Sequence, residues 1–165
     1  LSRAEVDQET LDFYANEFNE AIASTKPNPR ADQVVKLLKE HGVKVYLATN
    51  PIFPRAGTMN RIRWAGIDAE DFEVITTYET YHYCKPNPKY FQEVMEEFRL
   101  NPKECLMVGN DVQEDLTIRS LGVKTYLLTD TLENKKNIPL EEAETEYKGT
   151  MEELYEWFQS YFVHN

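Results

Sequence analysis

A chain of 165 residues with 41% hydrophobic and 12% aromatic content can build a real core, so disorder is excluded and one domain with a small appendage is expected. With 18 basic against 29 acidic residues, the formal charge of −11 argues against nucleic acid or an anionic membrane as a partner. A small phosphorylated substrate stays possible, because local cations and a metal can outweigh the global field. Cys84 and Cys105 show no metal spacing and suggest no disulfide framework. No apolar run is long enough to span a membrane and no charged-then-apolar leader opens the chain, so a soluble protein in a reduced, cytoplasmic setting is expected.

Residues 2–24 read as a helix. Ser2-Arg-Ala-Glu5 has the form of a capping box, and Leu11, Tyr14, Phe18 and Ile22 recur as a one-sided apolar stripe. Lys26-Pro-Asn-Pro29 is a stiff, extended linker or hinge. From Arg30 helices and strands alternate. Val34, Val35, Leu37 and Leu38 mark a helix that stops at Gly42, and Val43–Ala48 is a strand ending in Thr49-Asn50-Pro51. A helix through Met59, Ile62 and Ala65 stops at Gly66, and Phe72–Thr77 is a strand. Asn87-Pro88 caps a helix that buries Phe91, Val94, Met95 and Phe98. A buried strand through Leu106, Met107 and Val108 follows, then a helix with Leu116 and Leu121, and a last strand over Val123–Leu128. Residues 130–149 are polar and irregular. Thr150-Met-Glu-Glu153 is a second capping box, opening a helix with Leu154, Trp157, Phe158 and Tyr161 inward. Strands separated by helices of this length imply βαβ units, a parallel sheet and the α/β class.

Three places along this pattern could carry chemistry. Thr49 ends a buried strand, where its hydroxyl and the following amides can hold an anionic oxygen. Lys85, beside Pro86 in a loop before a helix, can offset charge on a transferring phosphoryl group. In Val108-Gly-Asn-Asp111-Val-Gln-Glu-Asp115 a glycine breaks the strand at the end where open parallel sheets bind ligands. Asp111 and Asp115 are four apart, and two oxygen ligands on one short turn suit a hard cation such as magnesium. Singly, each of these also reads as ordinary loop chemistry.

In this order the three resemble the second, third and fourth motifs of the haloacid dehalogenase (HAD) superfamily of phosphatases and related hydrolases, over roughly residues 30–130. The resemblance implies a doubly wound parallel sheet, a HAD-like Rossmannoid core over residues 27–165, with residues 1–26 the remnant of a helical cap. It implies a magnesium-dependent phosphatase acting on a small phosphate ester through an aspartyl-phosphate intermediate. Thr49 and Asn50 would bind phosphate, Lys85 would stabilise nucleophile and intermediate, and Asp111 would be the principal ligand that this chain gives to Mg2+. Asp115 would support the metal or Lys85. Asn110 stands where an acid is commoner and is a possible ligand.

The family's first motif, Asp-x-Asp, supplies nucleophile and general acid/base, and no two aspartates of this sequence stand two apart. The chain is therefore expected to start inside the cap, to lack the first central strand and to be inactive alone. Something should fill the gap beside the strands at 44–48 and 105–109: a retained upstream peptide, a further N-terminal segment or a strand exchanged from another copy. Two alternatives are a haloacid dehalogenase, which needs no magnesium, and a non-catalytic binding or regulatory module on the same fold. His41, His82 and His164 lack metal spacing and read as surface or loop residues.

Overall fold

The computed structural model describes residues 3–164 in two compact units, one running to Tyr81 and the other beginning at His82. The capping box that begins at Ser2 falls outside the described residues.

In the first unit, α1 (Arg3–Ala15) does not continue to residue 24 as the apolar stripe suggested. Asn16 breaks it: its side chain donates to the Asp12 carbonyl at 2.9 Å, while that of Asn19 donates to the Ala15 carbonyl at 2.7 Å. Side-chain donors that compete for helix carbonyls favour such an interruption. Residues Glu17–Ser24 form 3-10 turns instead. The stripe is accordingly split. Tyr14 and Phe18 are half-buried and their rings meet Phe53, with Phe18 also against Trp64, whereas Leu11 and Ile22 are exposed.

After the extended stretch at 25–28 come α2 (Pro29–Glu40), capped by the Asn28 side chain, and α3 (Arg55–Trp64). Both end in the same way. Gly42 (φ +74) and Gly66 (φ +75) take the left-handed position, and the next residue turns its amide back, Val43 to the Leu38 carbonyl and Ile67 to that of Ile62. This explains why the strand read over Val43–Ala48 is shorter. Val43 is committed to the helix end, and β1 is only Tyr46–Leu47. It pairs in parallel with β2 (Val74–Ile75), Tyr46 opposite Val74. Phe72, read as strand, closes a 3-10 turn onto the Ala69 carbonyl. Val34, Val35, Ile62, Trp64 and Tyr81 supply buried apolar side chains.

The second unit carries a three-stranded parallel sheet in the order β3–β4–β5. Helix α4 (Pro88–Glu97) starts at Asn87, whose side chain accepts from the Lys89 amide, and buries Tyr90, Phe91, Val94 and Met95; Phe98 is only half-buried. Strand β3 (Leu106–Gly109) runs beside β4 (Lys124–Leu128), with Met107 opposite Thr125. The helix expected between them is a 3-10 segment, Asp115–Leu121. Within the stretch read as irregular lies β5 (Tyr147–Gly149), paired with the far half of β4. Its three residues, Tyr-Lys-Gly, carry no apolar run that would announce a strand. Helix α5 (Met151–His164) opens with the expected reciprocal cap: the Glu153 carboxylate accepts from the Thr150 amide at 2.7 Å, and Thr150 Oγ1 accepts from the Glu153 amide at 3.2 Å. Leu154 and Phe158 are buried, and Trp157 lies against Tyr126 and Tyr147; Tyr161, expected inward, is exposed. In the strand orders β1 has β2 as its neighbour and β3 has β4, and among the described residues no further strand joins either sheet.

Candidate active site

The site in the second unit begins where β3 stops. Past Gly109 the chain turns so that Asp115 folds back over the strand end, its Oδ2 accepting the amides of Asn110 and Asp111, both at 3.0 Å. A Cβ at position 109 would lie 2.3 Å from Asp115 Oδ2 and 2.6 Å from its Cβ, so the turn needs a residue with no side chain there. The other oxygen, Oδ1, accepts from Lys85 Nζ at 2.6 Å, and the two side chains are only 10% and 6% exposed. Asp115 thus takes three donors and is spent on shaping the turn and aiming the lysine.

Lys85 arrives on a loop held from both sides. Downstream, a cis Lys85–Pro86 peptide leads into α4, and the Asn87 amide donates to the Cys84 carbonyl at 3.0 Å. Upstream, Glu93 of α4 accepts the His82 amide at 3.1 Å and pairs with the His82 ring at 2.5 Å. The lysine ammonium also stands 5.9 Å from the Phe91 ring centroid.

Asp111 is organised differently. Its Oδ1 accepts the amides of Gln113 and Glu114, both at 2.8 Å, while Oδ2 faces the ammonium of Lys135 at 3.5 Å. Asn110 uses its side-chain nitrogen on the Thr131 carbonyl at 2.6 Å. Position 135 was not singled out in the sequence, nor were Gln113 and Asn134, which fasten its loop: Lys135 donates its amide to Gln113 Oε1 at 2.8 Å, and Gln113 Nε2 donates to Asn134 Oδ1 at 3.0 Å. No spacing could have found them, because the loop meets the acidic turn only through the fold. Glu114 and Asp111 together raise the pKa of the Lys135 ammonium, its hydrogen bond to Glu114 leading. Burial pushes the Cys105 thiol up, with the neighbouring Glu104 charge adding to it, which disfavours the thiolate.

Among the described residues, no three His, Cys, Asp or Glu stand together as a complete metal site. What the turn offers is Asp111 Oδ2, which faces the Lys135 ammonium at 3.5 Å while Oδ1 takes the backbone amides, with the Asn110 side-chain oxygen as a second hard donor. That fits an ion such as Mg2+, which keeps waters and relies on one or two carboxylates plus substrate oxygens. Thr49 and Asn50 belong to the first unit, just past β1. There the Thr49 carbonyl accepts the Thr76 hydroxyl at 2.6 Å and that of Asn50 accepts the Ile52 amide at 2.9 Å, fixing the turn that carries both. Of the residues read from the sequence, Lys85, Asn110, Asp111 and Asp115 are therefore gathered on one strand end, and Thr49 and Asn50 are described within their own unit. No helix among the described residues is long and apolar enough to cross a membrane.

The chain is 29% identical over 119 residues to a bifunctional riboflavin kinase/FMN phosphatase of Arabidopsis thaliana, covering 72% of this chain and 31% of that protein. It is 32% identical over 96 residues to the pyrophosphatase PpaX of Halalkalibacterium halodurans, covering 58% of this chain and 43% of the relative. It therefore spans less than half the length of either. The crystal structure of a HAD phosphatase from Thermococcus onnurineus superposes with a TM-score of 0.67 at 20% identity, over 87% of this chain and 63% of that one, which establishes a shared fold. A family model for haloacid dehalogenase-like hydrolases matches residues 2–122, and the chain belongs to that family.

Proposed function

We propose that this chain carries the phosphate-binding, charge-neutralising and metal-supporting parts of a magnesium-dependent phosphatase for small phosphate esters. The observation that carries the reading is the buried Lys85–Asp115 pair at 2.6 Å on the carboxyl end of β3. A lysine ammonium fixed there, with little freedom left to lose, is preorganised to stabilise negative charge that builds up on a transferring phosphoryl group. Thr49 and Asn50 would bind phosphate oxygens through hydroxyl and amides. Asp111 Oδ2, with Asn110 in support, would hold Mg2+, which when bound supplies charge neutralisation between carboxylate and phosphate.

The nucleophile is not among these 165 residues, whose aspartates include no pair two apart. In this proposal an aspartate from further polypeptide, in the same chain or from a partner, attacks phosphorus. Its new O–P bond replaces the ester O–P bond, the alcohol leaves with a proton given by a second acidic group of that further polypeptide, and water, returning a proton to that group, then cleaves the aspartyl phosphate to aspartate and phosphate. Residues 1–26 would belong to a cap and residues 27–165 to the core, in a reduced, cytoplasmic setting that suits two free cysteines. The phosphatase activities named for the relatives support the reaction class.

The test is hydrolysis of a generic aryl phosphate by the native full-length polypeptide, with magnesium and after chelation, for wild type and Lys85→Ala. Chelation should abolish turnover, and the substitution should lower it about a hundredfold or more. Dehalogenation that survives chelation would instead establish the metal-free alternative. Inertness of the full-length protein to both substrate types would favour a binding module.

A further inference from the structure

The acidic turn and the loop over residues 131–138 are stitched together. Asn110 donates its side-chain nitrogen to the Thr131 carbonyl, the Glu133 amide donates to the Asn110 carbonyl at 2.8 Å, and the Val112 amide donates back to the Glu133 carbonyl at 3.0 Å. Asn134 then closes the loop on itself, its side chain bonding the Ile138 carbonyl at 2.7 Å and amide at 3.1 Å. This many fixed bonds set where the next side chain, Lys135, can reach. Its ammonium stands 3.2 Å from Glu114 Oε1 and 3.5 Å from Asp111 Oδ2. Asp111 Oδ1 is already committed to two amides, so Oδ2 is the oxygen left for a cation, and Lys135 is the cation beside it.

Building on the reading of Asp111 as a metal ligand, we propose that Lys135 is an internal counter-cation that competes with the divalent ion for Asp111. A lysine at this distance partly neutralises Asp111 and Glu114, which lowers the gain available to an entering ion. Lys135 is itself 63% exposed and tethered by four flexible carbons, so it can swing into solvent when displaced. The arrangement sets metal affinity through a residue that is not a ligand. It also keeps two acidic side chains from repelling one another while no ion is bound.

The test is binding of Mn2+ alone to the native full-length polypeptide, followed by the electron paramagnetic resonance of free Mn2+, with circular dichroism to check each variant's fold. Lys135→Met should bind about two- to fivefold tighter than wild type, the range expected for removing one exposed ion pair. Lys135→Arg, which keeps the charge, should match wild type, and Asp111→Asn should bind weakest. Equal or weaker binding by Lys135→Met, beside measurable wild-type binding that Asp111→Asn removes, overturns the competition and leaves the metal reading standing. Absence of binding in wild type and Lys135→Met alike, or full binding by Asp111→Asn, overturns the metal reading itself and the competition with it.

Discussion

Two carboxylates of the second unit are held by the same devices at opposite ends of one parallel sheet. At the carboxyl end, Asp115 takes Lys85 and two backbone amides. At the amino end, Glu146, just before β5, takes Arg119 at 2.9 Å and the amide of Thr125, near the start of β4, at 2.8 Å. Cation, carboxylate and amide recur, yet the surroundings differ. The Lys85–Asp115 pair is almost wholly buried at the end where parallel sheets bind ligands. The Arg119–Glu146 pair is partly open, shared with the fully exposed Glu144, and ties β5 to β4 through Thr125 and Thr145. The same kinds of group form the candidate site at one end and a fastening at the other, and burial is what separates them.

The comparison breaks first at Asp115. Asp115→Ala leaves Lys85 buried without its carboxylate and two amides without their acceptor, a loss of about 3–5 kcal/mol by analogy with other broken buried pairs. Urea unfolding of the isolated chain measures it, and a loss below about 1 kcal/mol would put the pair in the surface class. A smaller effect is expected at Gly109. Gly109→Ala forces its Cβ against a pinned Asp115, costing about 1–3 kcal/mol through overpacking and misaiming Lys85. A second-site Asp115→Ala should recover only part of that cost, because it removes the carboxylate but keeps a Cβ 2.6 Å from the new methyl group.

The smallest effect belongs to Glu146. Its hydrogen bond from Arg119, aided by the Thr125 amide and hydroxyl, holds its pKa down from 4.5 to about 2. A carboxylate depressed on folding stabilises the folded state above its unfolded pKa, and the benefit is lost as pH falls from 4.5 toward 2. Glu146→Gln should therefore be less stable than wild type at neutral pH, by about 1 kcal/mol given its solvent screening. The gap should close on acidification. Denaturation curves at neutral and strongly acidic pH check the sign, and a gap that widens in acid would reverse the assignment.

How much of this was legible beforehand follows from where each signal resides. Helix ends were readable because Gly42, Gly66 and the Thr150–Glu153 box act within a few residues of themselves. The end of α4 was less so. Arg99, not glycine, takes the left-handed position there (φ 51), while the Leu100 amide reaches the Met95 carbonyl at 2.9 Å. Motif spacing singled out Lys85, Asp111 and Asp115, and the Lys85–Asp115 pair is one of the two roles read for Asp115, but the backbone amides that each aspartate takes were not readable. Which oxygen accepts which amide depends on a turn only five residues long. Lys135 and β5 were invisible for a further reason. Both are set in place by polar side chains meeting across twenty or more residues, and neither leaves a periodic trace.

The aromatic clusters have a spectroscopic consequence. The chain has two tryptophans, and each unit owns one: Trp64 against Phe18 in the first, Trp157 between Tyr126 and Tyr147 in the second. Fluorescence from Trp64→Phe and Trp157→Phe variants would thus report each half of the molecule separately. The pair of single-tryptophan chains is a built-in optical ruler for whether the two halves melt as one cooperative body or in succession.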